Sequence, residues 1–366
     1  MSLQNKLLND LKSIKPKDFS SYSNQNFYIF GYGSFARDCY EAFLKENINP
    51  KGFLVSNINK ENQQNEIIFS LNEIDLSNAV VLIGIFNREH PYKDIAESLE
   101  AKGCKQILMP WDIYGFLKTH LGFRYWLEEP NFYIKNIENI NSGMKMLEDE
   151  ESRIIFENII RFRSGLLNDY SLFRSEEFQY FNKFTSNIKN KNEFVFVDGG
   201  AYDGDSYFDC IRNQNISEAY LFEPDPNNFK LLIENCSSIE SKPFLVPLGL
   251  SNCYDTFTFS SVGEAGHIDK NGDMSISTCA IDEFFGDKQV DFIKLDIEGN
   301  EKNALLGARD IINKNLPIIC LSAYHRPEDI WELADVIDSI SNNYRFYLRQ
   351  HYYNSFDVVL YAVPKS

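Results

Sequence analysis

Three aspartates and three glycines crowd the end of one apolar stretch, and their types decide what chemistry the segment can do. The sequence FVFVDGGAYDGDSYF, residues 194–208, sets Asp198, Asp203 and Asp205 among these glycines. In an open α/β sheet, ligands bind at the carboxyl ends of the strands, where glycine lets them approach the backbone closely. A diphosphate prefers helix N-termini without nearby anions. These carboxylates therefore favour a positively charged ligand without phosphate, and S-adenosylmethionine has both properties.

A further carboxylate ends the next strand of the series. Glu223 follows the apolar residues YLF, and an acidic side chain at this place accepts the ribose hydroxyls of a nucleoside. Asp203 and Asp205 have an alternative role as caps of the helix that begins near Ser206. The residues that we predict to bind S-adenosylmethionine are Asp198, Gly199, Gly200, Ala201, Asp203, Asp205, Ser206, Glu223, Pro224 and Asp296.

Two later strands lead to candidates for proton transfer. Asp296 ends the strand VDFIKLD, and Glu298 shares its face if the extended geometry continues. His325 follows the strand PIICLSAY, and an unperturbed pKa near 6.5 suits a histidine for proton transfer at neutral pH. A positioned base accelerates such a step by roughly 10²–10⁴-fold. We therefore predict that Asp296, Glu298 and His325 are the catalytic residues.

Other interpretations of these residues stay open at this stage. In one alternative, His325 only forms hydrogen bonds to structural partners. In another, Asp296, Glu298 and His325 bind a divalent cation, and an oxygen-rich site of this kind suits Mg²⁺ or Mn²⁺. The prediction includes no metal. Glu301 is interpreted as a first-turn charge that the helix dipole favours. Arg349 and His351 either bind an acceptor or lie at the surface.

Strands alternate with helical patterns in two parts of the chain, which predicts an α/β protein. In the N-terminal part the predicted strands are FYIF, GFLV, VVLIGIFN (80–87) and QILMP, with a helix at about 92–102. In the C-terminal part they are FVFV, AYLF, FLVPLGL (244–250), VDFIKLD, PIICLSAY, YRFYLR and DVVLYAV. The last two leave little room for a helix between them, so we predict a seven-stranded, mostly parallel doubly wound sheet ending in an antiparallel pair. DTFTFSSVG and MSISTCAI are predicted to form an added hairpin.

The composition changes twice along the chain, which predicts three segments. Residues 1–115 form a small Rossmann-like α/β domain in this interpretation. Residues 116–189 form a mainly helical connector, because LEDEESRIIFENIIRFRSGLL has apolar residues at helical spacing. Residues 190–366 form the domain that binds S-adenosylmethionine.

The first strand leads into a partial nucleotide-binding fingerprint. Gly31, Gly33 and Ala36 have the required spacing, but Ser56 or Asn57 stands where an acidic ribose ligand is expected. Either a nucleotide or nucleotide-sugar binds at this turn, or the turn is a tight strand-to-helix connection without a ligand.

Charge and composition exclude several classes of protein. The formal net charge of −17 disfavours nucleic acid as a partner, and no apolar run approaches the roughly 18 residues of a membrane span. The seven cysteines are scattered, and the N-terminal residues lack the apolar core of a signal peptide. We therefore predict a cytoplasmic protein. The oligomeric state is not predicted.

Several motifs together resemble one known family. VDGGAYDGD, FEPD, the ST-x-x-ID-x-F stretch at 277–284 and FIKLDIEGNE are similar to the FkbM family of S-adenosylmethionine-dependent methyltransferases. SAYHRPEDIWEL and YLRQHYYNSFDVVLYA resemble one branch of that family, and the match covers about residues 176–366. Asn300 is a departure, since the family commonly has a small residue there. The N-terminal part resembles domains of nucleotide-sugar enzymes.

The resemblance implies a class I methyltransferase fold and, usually, O-methylation of small molecules or glycans. We therefore predict that the protein methylates a sugar hydroxyl or a related small metabolite in glycan or secondary-metabolite biosynthesis. The alternative is a nucleotide-sugar- or NAD-binding enzyme centred on the Gly31–Gly33 turn. A non-catalytic module that only binds a partner is a second alternative, but such a module need not retain every carboxylate.

Overall fold

The chain folds into two compact units whose segments interleave along the sequence. The computed structural model describes residues 3–15, 19, 22, 25–56, 67–171, 173–186, 194–214, 216–240, 242–260, 267–268 and 274–365. The first unit contains Met1–Asn141, Ile154–Ser175 and Tyr352–Asp357, and the second contains Ser142–Arg153, Glu176–His351 and Val358–Ser366. The division into three consecutive segments stays a prediction. Asn57 lies outside the described residues.

The first unit is built on a parallel sheet with the strand order β3-β2-β1-β4-β5. Its strands are β1 (Asn26–Phe30), β2 (Gly52–Val55), β3 (Ile68–Ser70), β4 (Ala79–Ile83) and β5 (Gln106–Leu108). The helices from here to the second sheet are α1 (Leu3–Ser13), α2 (Ser34–Lys45), α3 (Tyr92–Ala101), α4 (Pro110–Leu121), α5 (Pro130–Lys135), α6 (Ile137–Met146) and α7 (Glu150–Arg163). The predicted α/β alternation is confirmed.

Two strand predictions in this unit need correction. Strand β4 ends at Ile83 rather than Asn87, because its neighbour β1 ends at Phe30, the residue that pairs with Ile83. Strand β3 was not predicted, since three residues carry too short a pattern to be distinguished from a loop.

The second unit contains a seven-stranded sheet with the order β15-β16-β14-β13-β6-β7-β8. Its strands are β6 (Val195–Gly199), β7 (Glu218–Phe222), β8 (Phe244–Val246), β13 (Phe292–Leu295), β14 (Ile318–Ser322), β15 (Tyr344–Gln350) and β16 (Val358–Pro364). Neighbouring strands from β8 to β14 are parallel, whereas β16 is antiparallel to both β14 and β15. The helices of this part are α8 (Asp205–Asn213), α9 (Pro226–Cys236), α10 (Ile281–Phe285), α11 (Glu301–Leu306), α12 (Arg309–Asn315) and α13 (Asp329–Ile340).

A separate four-stranded sheet has the order β11-β10-β12-β9. It contains β9 (Gly249–Leu250), β10 (Asp255–Ser260), β11 (His267–Ile268) and β12 (Met274–Cys279). The predicted hairpin is confirmed, since β10 and β12 pair antiparallel. The prediction of one strand over 244–250 is wrong, because Pro247 lies between β8 and β9 and cannot donate a ladder hydrogen bond.

Strands β6 and β13 are buried on both faces, as is usual for central parallel strands covered by helices. Aromatic rings fill the space beneath them: Phe292 lies 5.5 Å from both Phe181 and Phe196, measured between ring centroids. This rigid core fixes the carboxyl ends of the two strands, where the predicted site residues lie. Among the described residues, no helix is long and apolar enough to cross a lipid bilayer.

Arg349 and His351 are buried, so their interpretation as surface residues is wrong. The Arg349 guanidinium donates to Ser152 Oγ at 2.8 Å, Asp149 Oδ2 at 2.9 Å and Glu151 Oε2 at 2.6 Å. His351 Nε2 lies 2.8 Å from the Tyr361 hydroxyl. Burial lowers the pKa of His351 to about 4, so this imidazole is neutral. The sequence pattern gave no sign of burial, because the partners lie far away along the chain.

The substitution Arg349→Met should destabilise the protein, since Arg349 is fully buried and holds the segment 149–152 against β15. Hydrogen bonds to charged groups contribute about 1.5–3 kcal/mol each, and the exposed sides of Asp149 and Glu151 regain water, so the net loss should be of that order. Thermal unfolding should show Tm lower by roughly 3–12 °C. Arg345→Met is the matched control on the same strand, because Arg345 is exposed and lies 4.0 Å from Glu148. Equal Tm values for both variants would contradict the prediction.

Candidate active site at the carboxyl edge of the large sheet

The turn after β6 admits only glycine at its centre. Gly200 has φ of +73°, and a Cβ added there would lie 1.8 Å from the carbonyl oxygen of Asp296. The amide of Asp296 donates to the Gly199 carbonyl at 3.0 Å, and the amides of Gly200 and Ala201 both donate to the Phe222 carbonyl at 3.0 Å. These bonds join the ends of β13, β6 and β7 and bring the predicted residues after each strand to one edge.

Asp198 is fully buried and paired with a lysine that the sequence reasoning missed. Asp198 and Lys294 are register partners on β6 and β13, and Lys294 Nζ lies 2.9 Å from Asp198 Oδ1. The same ammonium donates to the Gly200 carbonyl at 2.7 Å. Burial raises the pKa of the Asp198 carboxyl to about 6, although the charge of Lys294 lowers it. The Oδ2 atom of Asp198 is buried and accepts no hydrogen bond from any residue that the structure describes.

The signal for Lys294 was present in the sequence. A lysine inside the apolar strand FIKL is seldom buried without a charged partner, and Asp198 ends another strand of the same predicted sheet. Two tyrosines at the site were also missed. The Tyr180 hydroxyl lies 3.4 Å from Asp296 Oδ2, and the Tyr324 hydroxyl lies 3.5 Å from Asp296 Oδ1. No motif identifies Tyr180, because it precedes the sheet in an irregular segment.

Glu223 is buried and held by backbone amides. The amide of Tyr202 donates to Glu223 Oε2 at 3.0 Å, and the amide of Asp225 donates to Oε1 at 2.8 Å. Burial raises the pKa of Glu223 to about 7 against these hydrogen bonds, which lower it. Each carboxylate oxygen retains a second lone pair for a ligand hydroxyl. The next residue, Pro224, lies 3.7 Å from the Cβ position of Gly249.

Asp203 and Asp205 make local bonds at the start of α8. Asp203 Oδ1 accepts from the Asp205 amide at 3.3 Å, and Asp205 Oδ1 accepts from the Ser206 amide at 2.6 Å and from Ser206 Oγ at 3.2 Å. Gly204, with φ of +95°, allows the sharp turn between them. These bonds stay within the turn, and Gly204 is the N-cap of α8, so neither aspartate occupies the capping position.

The ring of His325 lies among three carboxylates and is 1% exposed. Its Nδ1 atom lies 2.8 Å from Glu301 Oε1, while its Nε2 atom lies 3.2 Å from Asp296 Oδ1 and 3.5 Å from Glu298 Oε2. Asp296 and Glu298 are 24% and 30% exposed, so the Nε2 side of the ring faces the accessible part of the site. The structure thus brings the three predicted catalytic residues together.

The interpretation of Glu301 as a mere first-turn charge is wrong. Its side chain is fully buried, and Oε1 accepts both from His325 and from the amide of Ile297, the latter at 2.8 Å. Glu298 and Gly299 both have positive φ, +56° and +93°, so the chain reverses sharply after Asp296 and returns Glu301 beneath the ring. Extended geometry therefore does not continue to Glu298, and only the tight turn places it near His325.

The carboxylates set the charge of His325. Burial alone would lower the pKa of its imidazole, but the charges of Glu301 and Glu298 and the hydrogen bonds to Asp296 and Glu301 outweigh it and raise this pKa well above 6.5. Burial would likewise raise the pKa of Asp296, but His325 and Lys294 outweigh it, and this pKa is lowered. At neutral pH the cluster therefore contains an imidazolium at His325 and an ionised carboxylate at Asp296.

The departure at Asn300 has a structural explanation. Its side-chain amide donates to the Leu250 carbonyl at 2.7 Å, and its oxygen accepts from Asn303 at the same distance. A small side chain at this position could not make these bonds.

The glycine turn of the first unit is packed with aromatic rings. Phe35 in the first turn of α2 lies 5.2 Å from Phe86, which follows β4, and Phe86 lies 5.3 Å from Trp126 and 5.2 Å from Phe356. A nucleotide would need the space between the carboxyl ends of β1 and β4. Ser56, after β2, is exposed. The packing favours the interpretation of this turn as a structural connection.

The part of the chain that contains the site matches a known family model. Residues 198–348 match the methyltransferase FkbM domain. A hexuronic acid methyltransferase, AglP from Haloferax volcanii, is 26% identical over 147 residues, which are 38% of this chain and 60% of that protein, so this chain matches less than two thirds of its relative's length.

A solved structure covers nearly the whole chain. The methyltransferase FkbM from Methylobacillus flagellatus KT aligns with a TM-score of 0.75 and 18% identity, over 99% of this chain and 99% of that one. Because the sequence identity is low, this likeness shows a shared fold. Residues 198–348 are thus similar to methyltransferases of the FkbM type.

Proposed function

We propose that the protein is an O-methyltransferase that acts on a sugar hydroxyl or a related small metabolite in glycan or secondary-metabolite biosynthesis. The observation that carries this proposal is the cluster of His325, Asp296 and Glu298 at the same sheet edge as the turn at Gly200. The name of the relative, a hexuronic acid methyltransferase, supports a sugar acceptor. We assign the seven-stranded sheet to the class I methyltransferase fold and place the protein in the cytoplasm, where its free cysteines stay reduced.

The residues at the edge fit S-adenosylmethionine. The buried Oδ2 atom of Asp198 has the charge to accept from the donor's ammonium, and Glu223 keeps lone pairs for the ribose hydroxyls. The turn of Gly199 and Gly200 leaves backbone that a ligand can approach. Asp203, Asp205 and Ser206 fit a secondary role, since they hold the turn and the start of α8.

The catalytic cluster handles the proton of the acceptor hydroxyl. The sulfonium supplies an electrophilic methyl group, so the protein mainly has to align the oxygen and receive its proton. Glu301 fixes the orientation of His325 and turns Nε2 towards Asp296 and Glu298. His325 loses its proton more readily when another positive charge lies at this edge. The neutral imidazole would then accept the hydroxyl proton, while the bound donor would supply the methyl group, its methyl–sulfur bond breaking as the carbon–oxygen bond forms.

Donor binding should depend on Glu223 and Asp198. Glu223→Ala removes a charge-assisted hydrogen-bond acceptor worth about 1.5–3 kcal/mol, so affinity for S-adenosylhomocysteine should fall roughly ten- to a hundredfold. Asp198→Ala should weaken binding as well. Isothermal titration measures both, with Asp209→Ala as the control, because Asp209 is an exposed residue of α8 paired with Arg212. The cofactor assignment at this turn would be disproved if wild type did not bind S-adenosylhomocysteine. It would also be disproved if the Asp198→Ala variant bound S-adenosylhomocysteine as tightly as wild type.

Donor affinity should fall as the pH is lowered through about 6, since the pKa of Asp198 is raised to about 6 and its ionised form attracts the ammonium. Glu223, with a pKa of about 7, acts in the same direction. The charge of Lys294 lowers both pKa values, so Lys294→Met should move the midpoint to higher pH. Titration of S-adenosylhomocysteine at several pH values measures this. A flat profile in both proteins would count against the role of Asp198.

His325→Ala should reduce turnover by roughly 10²–10⁴-fold while affinity for S-adenosylhomocysteine stays nearly unchanged. Turnover of wild type should rise with pH above neutrality, because the neutral imidazole is the active form and its pKa is raised. Glu301→Gln removes a charge that raises this pKa and should shift the rise to lower pH. His120→Ala is the control, since His120 pairs with Glu46 in the first unit. Full turnover in His325→Ala would refute the assignment, and unfolding of that variant would favour a structural histidine.

The acceptor is identified by a screen. Nucleotide-sugars and glycan precursors, including hexuronic acids, are incubated with the protein and donor labelled in the methyl group, and products are read by mass spectrometry. A methylated hydroxyl on a sugar supports the proposal. Methylation of a carboxylate or an amine, or of no sugar in the panel, would contradict it.

A further inference from the structure

Arg326 is an exposed cation beside the catalytic cluster. It follows His325 directly in the chain, and its Nε atom donates to the Gly299 carbonyl at 2.8 Å. A Cβ added at Gly299 would lie 3.2 Å from Arg326 Nε and 3.7 Å from His325 Cβ, so the backbone of this glycine lies against both residues. The guanidinium is therefore held on the same tight turn that brings Glu298 to the histidine.

The guanidinium of Arg326 keeps donors for a ligand. The backbone amide of Arg326 donates to Asp329 Oδ2 at 2.7 Å and its Nε donates to Gly299, so both the main chain and the side chain are fixed. Its two terminal nitrogens donate to no residue that the structure describes, and Arg326 forms no ion pair within the described ranges. A planar guanidinium presents such nitrogens as a fork that binds a carboxylate through two parallel hydrogen bonds. The site therefore contains an oriented anion receptor.

Arg326 lies on the side of the cluster away from the residues proposed to bind the donor. Asp198 and Glu223 lie at the carboxyl ends of β6 and β7, whereas His325 and Arg326 follow β14. Strand β13 separates β14 from β6, so the two ends are about 10 Å apart. The donor's own carboxylate is bonded to the carbon that carries its ammonium, so it stays near Asp198. The anion that reaches Arg326 therefore belongs to the acceptor.

We propose that Arg326 binds a carboxylate of the acceptor, so that the substrate is an acidic sugar whose hydroxyl reaches His325. This inference rests on the proposed methyl transfer and restricts its acceptor to sugars that carry a carboxylate besides the methylated hydroxyl. The carboxylates of Asp296 and Glu298 repel an acidic acceptor, and the guanidinium offsets that repulsion at one place. A phosphate fits the same fork but carries up to about two charges, so these carboxylates repel it more strongly.

The carboxylate subsite is tested by binding, without methyl transfer. Phenyl glucuronide and phenyl glucoside are titrated calorimetrically into full-length protein saturated with S-adenosylhomocysteine, because these probes differ only in a carboxylate against a hydroxymethyl group. We expect wild type to bind the glucuronide about tenfold more tightly, the lower end for hydrogen bonds to charged groups, since the guanidinium is exposed. Arg326→Gln should bind both probes equally. Arg326→Lys should keep a reduced preference, because an ammonium lacks the planar fork.

Arg345→Gln is the matched control, because Arg345 is an exposed arginine at the opposite edge of the same sheet. It pairs with Val363, and the neighbouring Ala362 pairs with Ile319 near the start of β14. This variant should bind both probes like wild type. Affinity for S-adenosylhomocysteine should be unchanged in every variant, which also shows that each is folded. Should Arg326→Gln be unfolded, Arg326→Lys decides, and an unreduced preference in that variant overturns the inference.

Several results would overturn the carboxylate subsite. Equal binding of the two probes by wild type, or an undiminished preference in folded Arg326→Gln, overturns it. A folded Arg326→Gln with about tenfold weaker binding of S-adenosylhomocysteine would assign the guanidinium to the donor's carboxylate instead. Binding of inorganic phosphate without binding of the glucuronide would overturn the choice of a carboxylate.

Methyl transfer separates this inference from the proposed function. Methylation of neutral sugars as fast as acidic ones overturns the inference, while the methyltransferase proposal stands. Methylation of the carboxylate itself would place that group at His325 rather than at Arg326 and contradicts both. Conversely, a preference for the glucuronide that depends on Arg326, in a protein that methylates no sugar, supports the subsite and contradicts the proposed function. Methylation of a hydroxyl on an acidic sugar that is slowed by Arg326→Gln supports both.

Discussion

The buried ion pair between Asp198 and Lys294 is the interaction on which the whole edge of the sheet depends. The two residues are neighbours on adjacent central strands, and both side chains are almost completely excluded from water. Removing either partner would leave an uncompensated buried charge, which is among the most costly changes a protein can undergo. The lysine also binds the Gly200 carbonyl and so fixes the turn. Because Gly200 touches the backbone of Asp296, the same contact positions the residue that leads to the catalytic cluster.

Negative charge concentrated at one edge explains which ligands suit the site. Five carboxylates lie at this edge of the sheet, those of Asp198, Glu223, Asp296, Glu298 and Glu301. The positive groups beside them are the ammonium of Lys294 and the imidazole of His325. A diphosphate would add to this repulsion. The proposed donor brings positive charge to this edge and so suits its electrostatics. Burial is the main cause of the raised pKa values of Asp198 and Glu223, and neighbouring carboxylates raise them further.

The first unit combines a parallel sheet and a glycine turn with a cluster of aromatic rings. Its strand order β3-β2-β1-β4-β5 and glycine turn resemble those of dinucleotide-binding domains, and the rings of Phe35, Phe86 and Phe356 pack together after β1 and β4. Phe356 belongs to the short segment Tyr352–Asp357, which joins this unit between β15 and β16. Asn354 anchors the segment by donating to the carbonyls of Asn87 and His90 at 2.9 and 2.6 Å. Many of the aromatic residues in this part of the sequence therefore pack in the core.

The sequence by itself determined the α/β class, the hairpin of β10 and β12 and the grouping of the acidic residues at strand ends. Alternating apolar segments and glycine turns are local signals, and parallel strands bring their carboxyl ends to one edge whatever the details. The family resemblance rested on the same local motifs. Only the tertiary structure decided that Lys294 pairs with Asp198, that Glu301 lies beneath His325, and that Arg349 is buried. These roles depend on partners distant in the chain and on burial, which changes a charge from a solvated group into one that must be compensated.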